Sequence, residues 1–259
     1  MALLAQTAER EWNTDMTKII SICLLLSGLV ACGVDNEAYS QQSSAIINGT
    51  LVNPDQQGHV NWGGCSGTLL TNSWILSAKH CFADQNPEQP DYWRLVAMGS
   101  QAAAMKKIYL HPTLDVAIAK LVKPMQMRNS TSGYQMGLYQ GVPERIVGKD
   151  LNCFGYGDQA FTGAQDGLLR TAILTVDRLQ PLGQEYICSG VICSYAVVNN
   201  ADGQIIYFGD SGGGCFYNVP GGNVELAGIH VAVSPGGSVG FDAASWGFAA
   251  WAKAVMASN

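Results

Sequence analysis

The sequence predicts an all-β protein with a sandwich or barrel architecture. The 259-residue chain contains 30 glycines, and 13% of its residues are charged whereas 47% are hydrophobic. This composition suits a compact protein with many turns and a large core, and it argues against disorder. After residue 45, short apolar stretches such as residues 66–78, 93–99 and 225–233 alternate with Gly-Gly and Pro-Gly breaks. Short strands at close spacing are typical of sandwiches and barrels.

The C-terminal segment has a different pattern. Phe248, Trp251, Ala252 and Val255 fall at positions i, i+3, i+4 and i+7. This spacing puts one apolar stripe on one face of a helix. We therefore expect the chain to end in a helix that packs through this stripe.

The N-terminal region resembles an export signal. Residues 1–31 comprise an upstream segment, one lysine at position 18, an apolar run at 19–30 and a small residue, Ala31. A membrane-spanning helix needs about 20 apolar residues, so this run is short for a permanent anchor. Residues 29–32 (Leu-Val-Ala-Cys) resemble a bacterial lipobox, which implies a lipid on Cys32. An ordinary secretory signal that happens to contain a cysteine is the alternative.

If Cys32 is lipidated, the acyl chains anchor the protein, because each buried methylene adds about 0.8 kcal/mol of membrane affinity. The residue after Cys32 is Gly33 and not an aspartate, and in this respect the segment resembles lipoproteins of the bacterial outer membrane. Residues 32–45 are polar and are interpreted as a lipid tether or pro-segment. We expect an exported protein at the outer membrane, or in the periplasm or extracellular space.

Charge and cysteine usage exclude several other classes of protein. The net charge is −6 and no run of Lys or Arg occurs, so we expect no nucleic-acid partner. The eight cysteines form no C-x-x-C pair and the four histidines are scattered, so we expect no metal and no cofactor. In an oxidising compartment, disulfides are the default for most of the cysteines. We expect a monomer.

Residues 209–213 (Gly-Asp-Ser-Gly-Gly) place Ser211 between glycines. A serine hydroxyl is a weak nucleophile that needs a neighbouring base and a site for the oxyanion. Flanking glycines let the backbone turn sharply, so that N–H groups can converge on one point. The alternative is a glycine-rich turn that contains an incidental serine.

Two other segments offer partners for this serine. His80 follows an apolar stretch and precedes Cys81, which lies 16 positions after Cys65. A disulfide there would clamp the loop that presents the histidine, although a lone histidine is more often a surface or core residue. Asp115 heads the apolar stretch 116–121. An aspartate at a strand entry is more often a turn residue, but here it could be buried and orient the histidine.

Together, these three segments resemble the trypsin/chymotrypsin family of serine proteases. The chain order His80, Asp115, Ser211 matches that family and differs from the order in subtilisins and α/β-hydrolases. The resemblance covers residues 46–259, essentially the whole presumed mature domain. It implies two antiparallel six-stranded β-barrels that meet near residues 123–140, with the active site between them and a helix at the C-terminus.

The resemblance also implies a role for each residue of the site. Ser211 would attack the scissile carbonyl of a protein or peptide, His80 would transfer the proton, and Asp115 would hold the imidazole. The backbone N–H groups of Gly209 and Ser211 would form the oxyanion hole, where loss of one donor typically costs on the order of 3 kcal/mol.

Residues 46–49 (Ile-Ile-Asn-Gly) resemble the mature N-terminus of this family. The resemblance implies a zymogen in which cleavage frees the amino group of Ile46, and that group then pairs with Asp210. Such a pair can switch the oxyanion loop between ordered and disordered states. Because Ala45 precedes the site, we do not expect a trypsin-like activator.

The resemblance implies three disulfides: Cys65–Cys81, Cys153–Cys215 and Cys188–Cys193. The last two have shifted spacing. Tyr207 stands where many relatives have another cysteine, so that bridge is absent here.

The specificity pocket is less defined by the sequence. Ile205 stands where trypsins carry the aspartate that binds basic side chains, so we expect a preference for apolar or small residues before the scissile bond. Gly240 would keep one wall of the pocket open. One alignment makes Val233 the other wall and the pocket shallow, whereas a shifted alignment places Ser234 and Gly236 there and leaves it open.

Two functions besides an active endopeptidase fit parts of the sequence. One is a catalytically inactive binding protein with the same fold, since fold does not fix function. The other is an esterase of a different fold, because residues 209–213 also satisfy Gly-x-Ser-x-Gly and His230 follows the serine. We interpret His230 as structural, since His80 already supplies the base.

Overall fold

The computed structural model describes residues 46–127, 135–158, 165–199 and 201–259. The expected signal, Cys32 and the tether therefore lie outside the described residues. The expected junction of the barrels, 123–140, includes residues 128–134, which are also outside them. Among the described residues, no helix combines the length and apolarity that a membrane crossing requires.

The first half of the domain forms a closed antiparallel barrel of six strands, preceded by a short strand and one helical turn. The strands and the turn are β1 (Thr50–Leu51), α1 (Pro54–Gln57), β2 (His59–Trp62), β3 (Cys65–Thr71), β4 (Trp74–Ser77), β5 (Leu95–Met98), β6 (Gln101–Leu110) and β7 (Ala117–Leu121). The barrel closes in the order β2-β3-β4-β7-β6-β5. A 3₁₀ turn at Lys79–Phe82 follows β4.

The second half forms another six-stranded antiparallel barrel. Its elements are β8 (Asp150–Gly155), β9 (Arg170–Leu179), β12 (Ser194–Val198), β13 (Gly214–Asn218), β14 (Val224–Val233) and β15 (Val239–Ala244). The order is β9-β12-β15-β14-β13-β8, and pairing of β8 with β9 closes the barrel. β1 adds to the outside of β9, and a hairpin of β10 (Ile187–Cys188) and β11 (Val191–Ile192) lies apart from the barrel sheet. The prediction of two six-stranded barrels is confirmed.

Two further 3₁₀ turns, Pro143–Ile146 and Gln184–Tyr186, lie in the second half of the chain. The chain ends in helix α2 (Ser245–Ser258), which confirms the predicted C-terminal helix. Phe248, Ala249 and Ala252 are buried on its inner face, and Trp251 and Val255 pack beside them. The apolar stripe read from the sequence is therefore the face that packs on the barrels.

The core has three parts, and the third one fixes how the barrels meet. One apolar cluster belongs to the first barrel and includes Val60, Leu69 and Ile75. A second belongs to the other barrel and includes Leu151 and Leu174. The third combines side chains from both barrels with helix α2, and its members include Leu76, Leu114, Phe154, Ile229 and Phe248. Burial at this shared cluster holds the two halves together, since apolar area removed from water contributes roughly 25 cal/mol per Å².

Candidate active site

His80 lies on the 3₁₀ turn that follows β4 of the first barrel. The bond between Cys65 and Cys81 ties this turn to β3. The Nδ1 atom of His80 lies 2.6 Å from Oδ2 of Asp115, and the backbone N–H of His80 donates to Oδ1 of the same carboxylate at 2.8 Å. The two contacts fix the imidazole relative to Asp115 while 45% of the histidine side chain stays exposed.

Asp115 is presented by the turn that leads into β7. The backbone of His111 pairs with Val116 across this turn, and Nδ1 of His111 accepts the N–H groups of Thr113 and Leu114. The His111 ring also packs edge-on against Trp251 of helix α2. Because Leu114 and Val116 are completely buried, the carboxylate between them has little freedom to move away from His80.

Ser211 belongs to the loop 207–213, which leads into β13 of the second barrel. The loop is closed by hydrogen bonds from Asp210 N–H to the Tyr207 carbonyl at 3.1 Å and from Gly213 N–H to the Asp210 carbonyl at 2.8 Å. Gly209 and Gly212 have φ angles of 90° and 85°, which side chains rarely adopt. The glycines of the motif therefore serve the sharp turn that the sequence predicted.

The first barrel also fixes this loop. The backbone N–H of Ser66 on β3 donates to the Ser211 carbonyl at 2.9 Å, and the Ser66 hydroxyl donates to the Gly209 carbonyl at 2.9 Å. His80 and Ser211 line the same cavity, which has a volume of about 400 Å³. Residues from two barrels, 131 positions apart, thus meet at one opening.

The carboxylate of Asp210 is completely buried behind the loop. Its Oδ1 accepts the Gly157 N–H at 2.8 Å and its Oδ2 accepts the Tyr207 N–H at 2.8 Å. A backbone hydrogen bond from Ile46 also reaches this group, and Ile46 itself is completely buried. Burial raises the pKa of Asp210 to about 6 despite these donors.

Another acid–base pair, which is buried, includes a residue that lines the cavity. Nδ1 of His230 on β14 lies 2.7 Å from Oδ1 of Asp242 on β15, with 2% and 0% of the two side chains exposed. His230 was a candidate from its position in the sequence, whereas Asp242 was not predicted. The two residues lie opposite each other in the β14–β15 register, and the sequence alone does not give that pairing.

The apolar walls of the cavity come from the two segments considered for the specificity pocket. Val231, Ala232 and Val233 line one side, and Ile206 lines another. Ile205 is buried, and its backbone pairs with that of Ile47. The neighbouring Ile206, and not Ile205, lines the cavity. Gly240 lies against Ile206, since a Cβ atom at Gly240 would be 2.4 Å from the Ile206 Cδ1.

The cysteines and histidines show what the site can hold. The pairs Cys65–Cys81, Cys153–Cys215 and Cys188–Cys193 are bonded in the structure. Within the described ranges, two groups of three residues have side chains that could bind a metal. Each group consists of a disulfide-bonded cysteine pair and one histidine: Cys65, Cys81 and His80, and Cys153, Cys215 and His230. Because disulfide sulfurs are not thiolates, neither group offers the ligand set of a zinc site.

Comparison with known proteins agrees with this architecture. Residues 46–252 match the family model described as Trypsin. The chain is 26% identical over 180 residues to transmembrane protease serine 11E of Mus musculus, a match that covers 62% of this chain and 42% of the relative. It is 26% identical over 176 residues to the venom peptide isomerase heavy chain of Agelenopsis aperta, covering 59% and 70% of the two chains. A trypsin of Simulium vittatum is 25% identical over 167 residues, covering 58% and 64%.

The family match extends over most of the chain and includes both barrels and most of helix α2. The protein therefore belongs to the trypsin family. The matched regions are only part of the relatives, less than half in the case of the mouse protease.

Replacing Gly212 tests the packing between the loop and the first barrel. A Cβ atom at Gly212 would lie 2.1 Å from the Ser77 Oγ and 2.3 Å from the Ser66 carbonyl. We expect G212A to lower the free energy of unfolding by roughly 1–2 kcal/mol for the positive φ and roughly 1–3 kcal/mol for the clash. Urea unfolding followed by fluorescence measures the change.

Gly221 supplies the matched control for this substitution. It has a φ of 69°, but nothing lies within 4 Å of a Cβ atom placed there. G221A should therefore show the cost of the backbone alone, about 1–2 kcal/mol. Equal losses for the two variants would contradict the tight contact at Gly212.

Proposed function

We propose that this protein is a serine endopeptidase that cleaves peptide bonds through an acyl-enzyme. The observation that carries the proposal is that His80, bonded to Asp115 at 2.6 Å, shares one cavity with Ser211 of a glycine-flanked loop. This combination provides a nucleophile, a base and an orienting group for the base.

In the proposed mechanism, the Ser211 hydroxyl attacks the scissile carbonyl while the Nε2 atom of His80 takes its proton. The contact between Nδ1 and Asp115 leaves Nε2 available for this transfer and stabilises the imidazolium that forms. His80 then gives the proton to the leaving amine, and an acyl-Ser211 ester remains. Water attacks this ester by the same route, which releases the acid and restores the serine.

The oxyanion of each tetrahedral intermediate would be held by the backbone N–H groups of Gly209 and Ser211. The hydrogen bonds from the Asp158 N–H to the Phe208 carbonyl at 2.6 Å and from the Gly213 N–H to the Asp210 carbonyl at 2.8 Å support this role, because these carbonyls belong to the same peptide units as the N–H groups of Gly209 and Ser211. A donor that is held in place before the reaction needs no reorganisation when the charge develops.

The triad is tested by labelling with a fluorophosphonate, followed by peptide mapping. A chain that begins at Ile46 should be labelled on Ser211, and the S211A and H80A variants should not be. D115N should lower kcat by about 10⁴-fold, because an amide at this position favours the imidazole tautomer whose Nε2 already carries a proton. Near-ultraviolet circular dichroism provides the control for folding. A folded chain with a free Ile46 that takes up no label would instead favour the inactive binding protein.

The esterase reading depends on His230 acting as the base. The 2% exposure of its side chain and its bond to Asp242 favour a structural role instead. One relative is named as a peptide isomerase, so the family alone does not establish hydrolysis. In the chain that begins at Ile46, loss of labelling in H80A together with labelling retained in H230Q would separate the protease from the esterase.

The substrate pocket is proposed to accept small or apolar side chains before the scissile bond. Ile206 lies against Gly240, and Ile206 and Val233 form apolar walls of the cavity. These walls carry no negative charge that could pair with a basic side chain. A buried ammonium without a countercharge is strongly disfavoured.

The I206A variant tests the size limit of this pocket. Removal of the side chain next to Gly240 should raise kcat/KM for a phenylalanine substrate relative to an alanine substrate by roughly 10- to 200-fold. The alanine substrate serves as the internal reference. An unchanged ratio would place the specificity pocket elsewhere.

Activation by cleavage before Ile46 is also part of the proposal. A freed α-amino group at this buried position would pair with Asp210, and such a pair needs both partners because a lone buried charge is costly. The φ of 46° at Ile46 supports cleavage, since this conformation strains a β-branched residue with an intact preceding peptide.

Export through lipidated Cys32 completes the proposal, with the protein as a monomer at the outer membrane or in the surrounding compartments. The wild-type precursor expressed in a bacterial host should partition with membranes, whereas C32S should be soluble after cell lysis. Equal partitioning of the two forms would favour the ordinary secretory signal.

A further inference from the structure

Asp210 is completely buried and accepts a backbone hydrogen bond from Ile46. The α-amino group that would neutralise its charge does not exist until the peptide bond before Ile46 is cut. Three backbone N–H groups, from Tyr207, Gly157 and Ile46, surround the carboxylate. Neutral donors do not cancel the cost of burying an ionised carboxylate, so another positive group is needed for the loop to stay ordered.

His230 occupies a suitable position for that group. Its backbone carbonyl accepts the Gly212 N–H at 2.8 Å, and its own N–H donates to the Gly213 carbonyl at 3.0 Å. These two contacts attach β14 directly to the loop that contains Asp210. Both the His230 ring and the Asp210 carboxylate are buried, at 1% and 0% exposure, so solvent screens their attraction little.

The ionisable groups around His230 shift its protonation equilibrium toward the imidazolium. Burial lowers the pKa of His230, but Asp242 and then Asp210 raise it above the ordinary value. Two buried carboxylates therefore both favour the protonated form of this one imidazole. His59, from the first barrel, faces the same interior with a pKa lowered to about 3 by burial, so it is neutral. Burial, with Asp242 nearby, raises the pKa of Tyr195, which stays neutral as well.

We propose that His230, held by Asp242, is a positioning residue that supplies a positive charge to Asp210 and keeps the oxyanion loop ordered before cleavage at Ile46. The proposal rests on the protease function for its activity readout. Under it, the uncut chain has measurable activity, and cleavage adds a second cation where one already exists. Cleavage still favours the active form, because it relieves the backbone strain at Ile46, whose φ is 46°.

The test compares two forms of the chain. The long form begins at residue 33, with its intact N-terminus verified by mass spectrometry, and the short form begins at Ile46. Each form is made as wild type, H230Q and D242N, and the rate of fluorophosphonate labelling is measured. In the long form, H230Q should lower the rate by roughly 5- to 150-fold, the usual range of coupling between two sites. In the short form, the α-amino group replaces the lost charge, so the same substitution should change the rate by less than about threefold.

A pH profile distinguishes this role from a structural one. The folded pKa of His230 is raised, so its positive charge is present at lower pH and is lost as the pH rises through that value. The long form should show a fall in labelling at this pH, and the short form and the long H230Q variant should not. D242N should move the fall to lower pH.

Hydrogen exchange at the amides of residues 207–213 tests the loop without relying on catalysis. Loss of protection in long H230Q, with protection retained in short H230Q, supports the proposal even if neither form is labelled. Equal protection in the long and short forms of both the wild type and H230Q would overturn it. Equal loss of labelling in both forms of H230Q would also overturn it. A long wild type without labelling or protection would overturn it as well and would leave the protease function to the short form.

Discussion

The arrangement of the site depends on one buried carboxylate. Asp210 lies next to Ser211 in the chain, and its two oxygens accept N–H groups from Tyr207 and Gly157 at 2.8 Å. A carboxylate that is removed from water must be neutralised by a partner, or its pKa rises. Burial raises the pKa of Asp210 in this way. Under the proposed mechanism, the group that neutralises Asp210 also controls the orientation of the N–H groups beside Ser211.

The second requirement is that two barrels meet at a fixed distance. The proposed base His80 and its partner Asp115 come from the first barrel, and the proposed nucleophile Ser211 comes from the second. The shared apolar cluster packs the two barrels together, and Ser66 makes specific hydrogen bonds to the loop that contains Ser211. Because protein cores are packed as densely as organic crystals, this junction gives a single geometry rather than a range. A site built across the junction inherits that precision.

The sequence predicted those features that depend on local patterns. Turn residues and short apolar stretches identified the strands, and the stripe at Phe248 identified the final helix. The motif around Ser211 was readable because a sharp turn needs glycine, as the φ of Gly212 shows. Asp242 could not be predicted, since its contact with His230 depends on the register of two strands. The sequence likewise did not decide whether Val233 or the pair Ser234 and Gly236 forms the cavity wall. That choice depends on how the end of the strand curves, which side-chain size does not determine.

A crystal structure of the chain beginning at Ile46, after reaction with a peptidyl phosphonate, tests the central claim most directly. The account predicts a bond between phosphorus and the Ser211 Oγ, with a phosphoryl oxygen within hydrogen-bond distance of the N–H groups of Gly209 and Ser211. His80 should remain bonded to Asp115. An unmodified Ser211, or a phosphoryl oxygen directed away from the loop, would contradict the claim that these two barrels assemble a serine protease site.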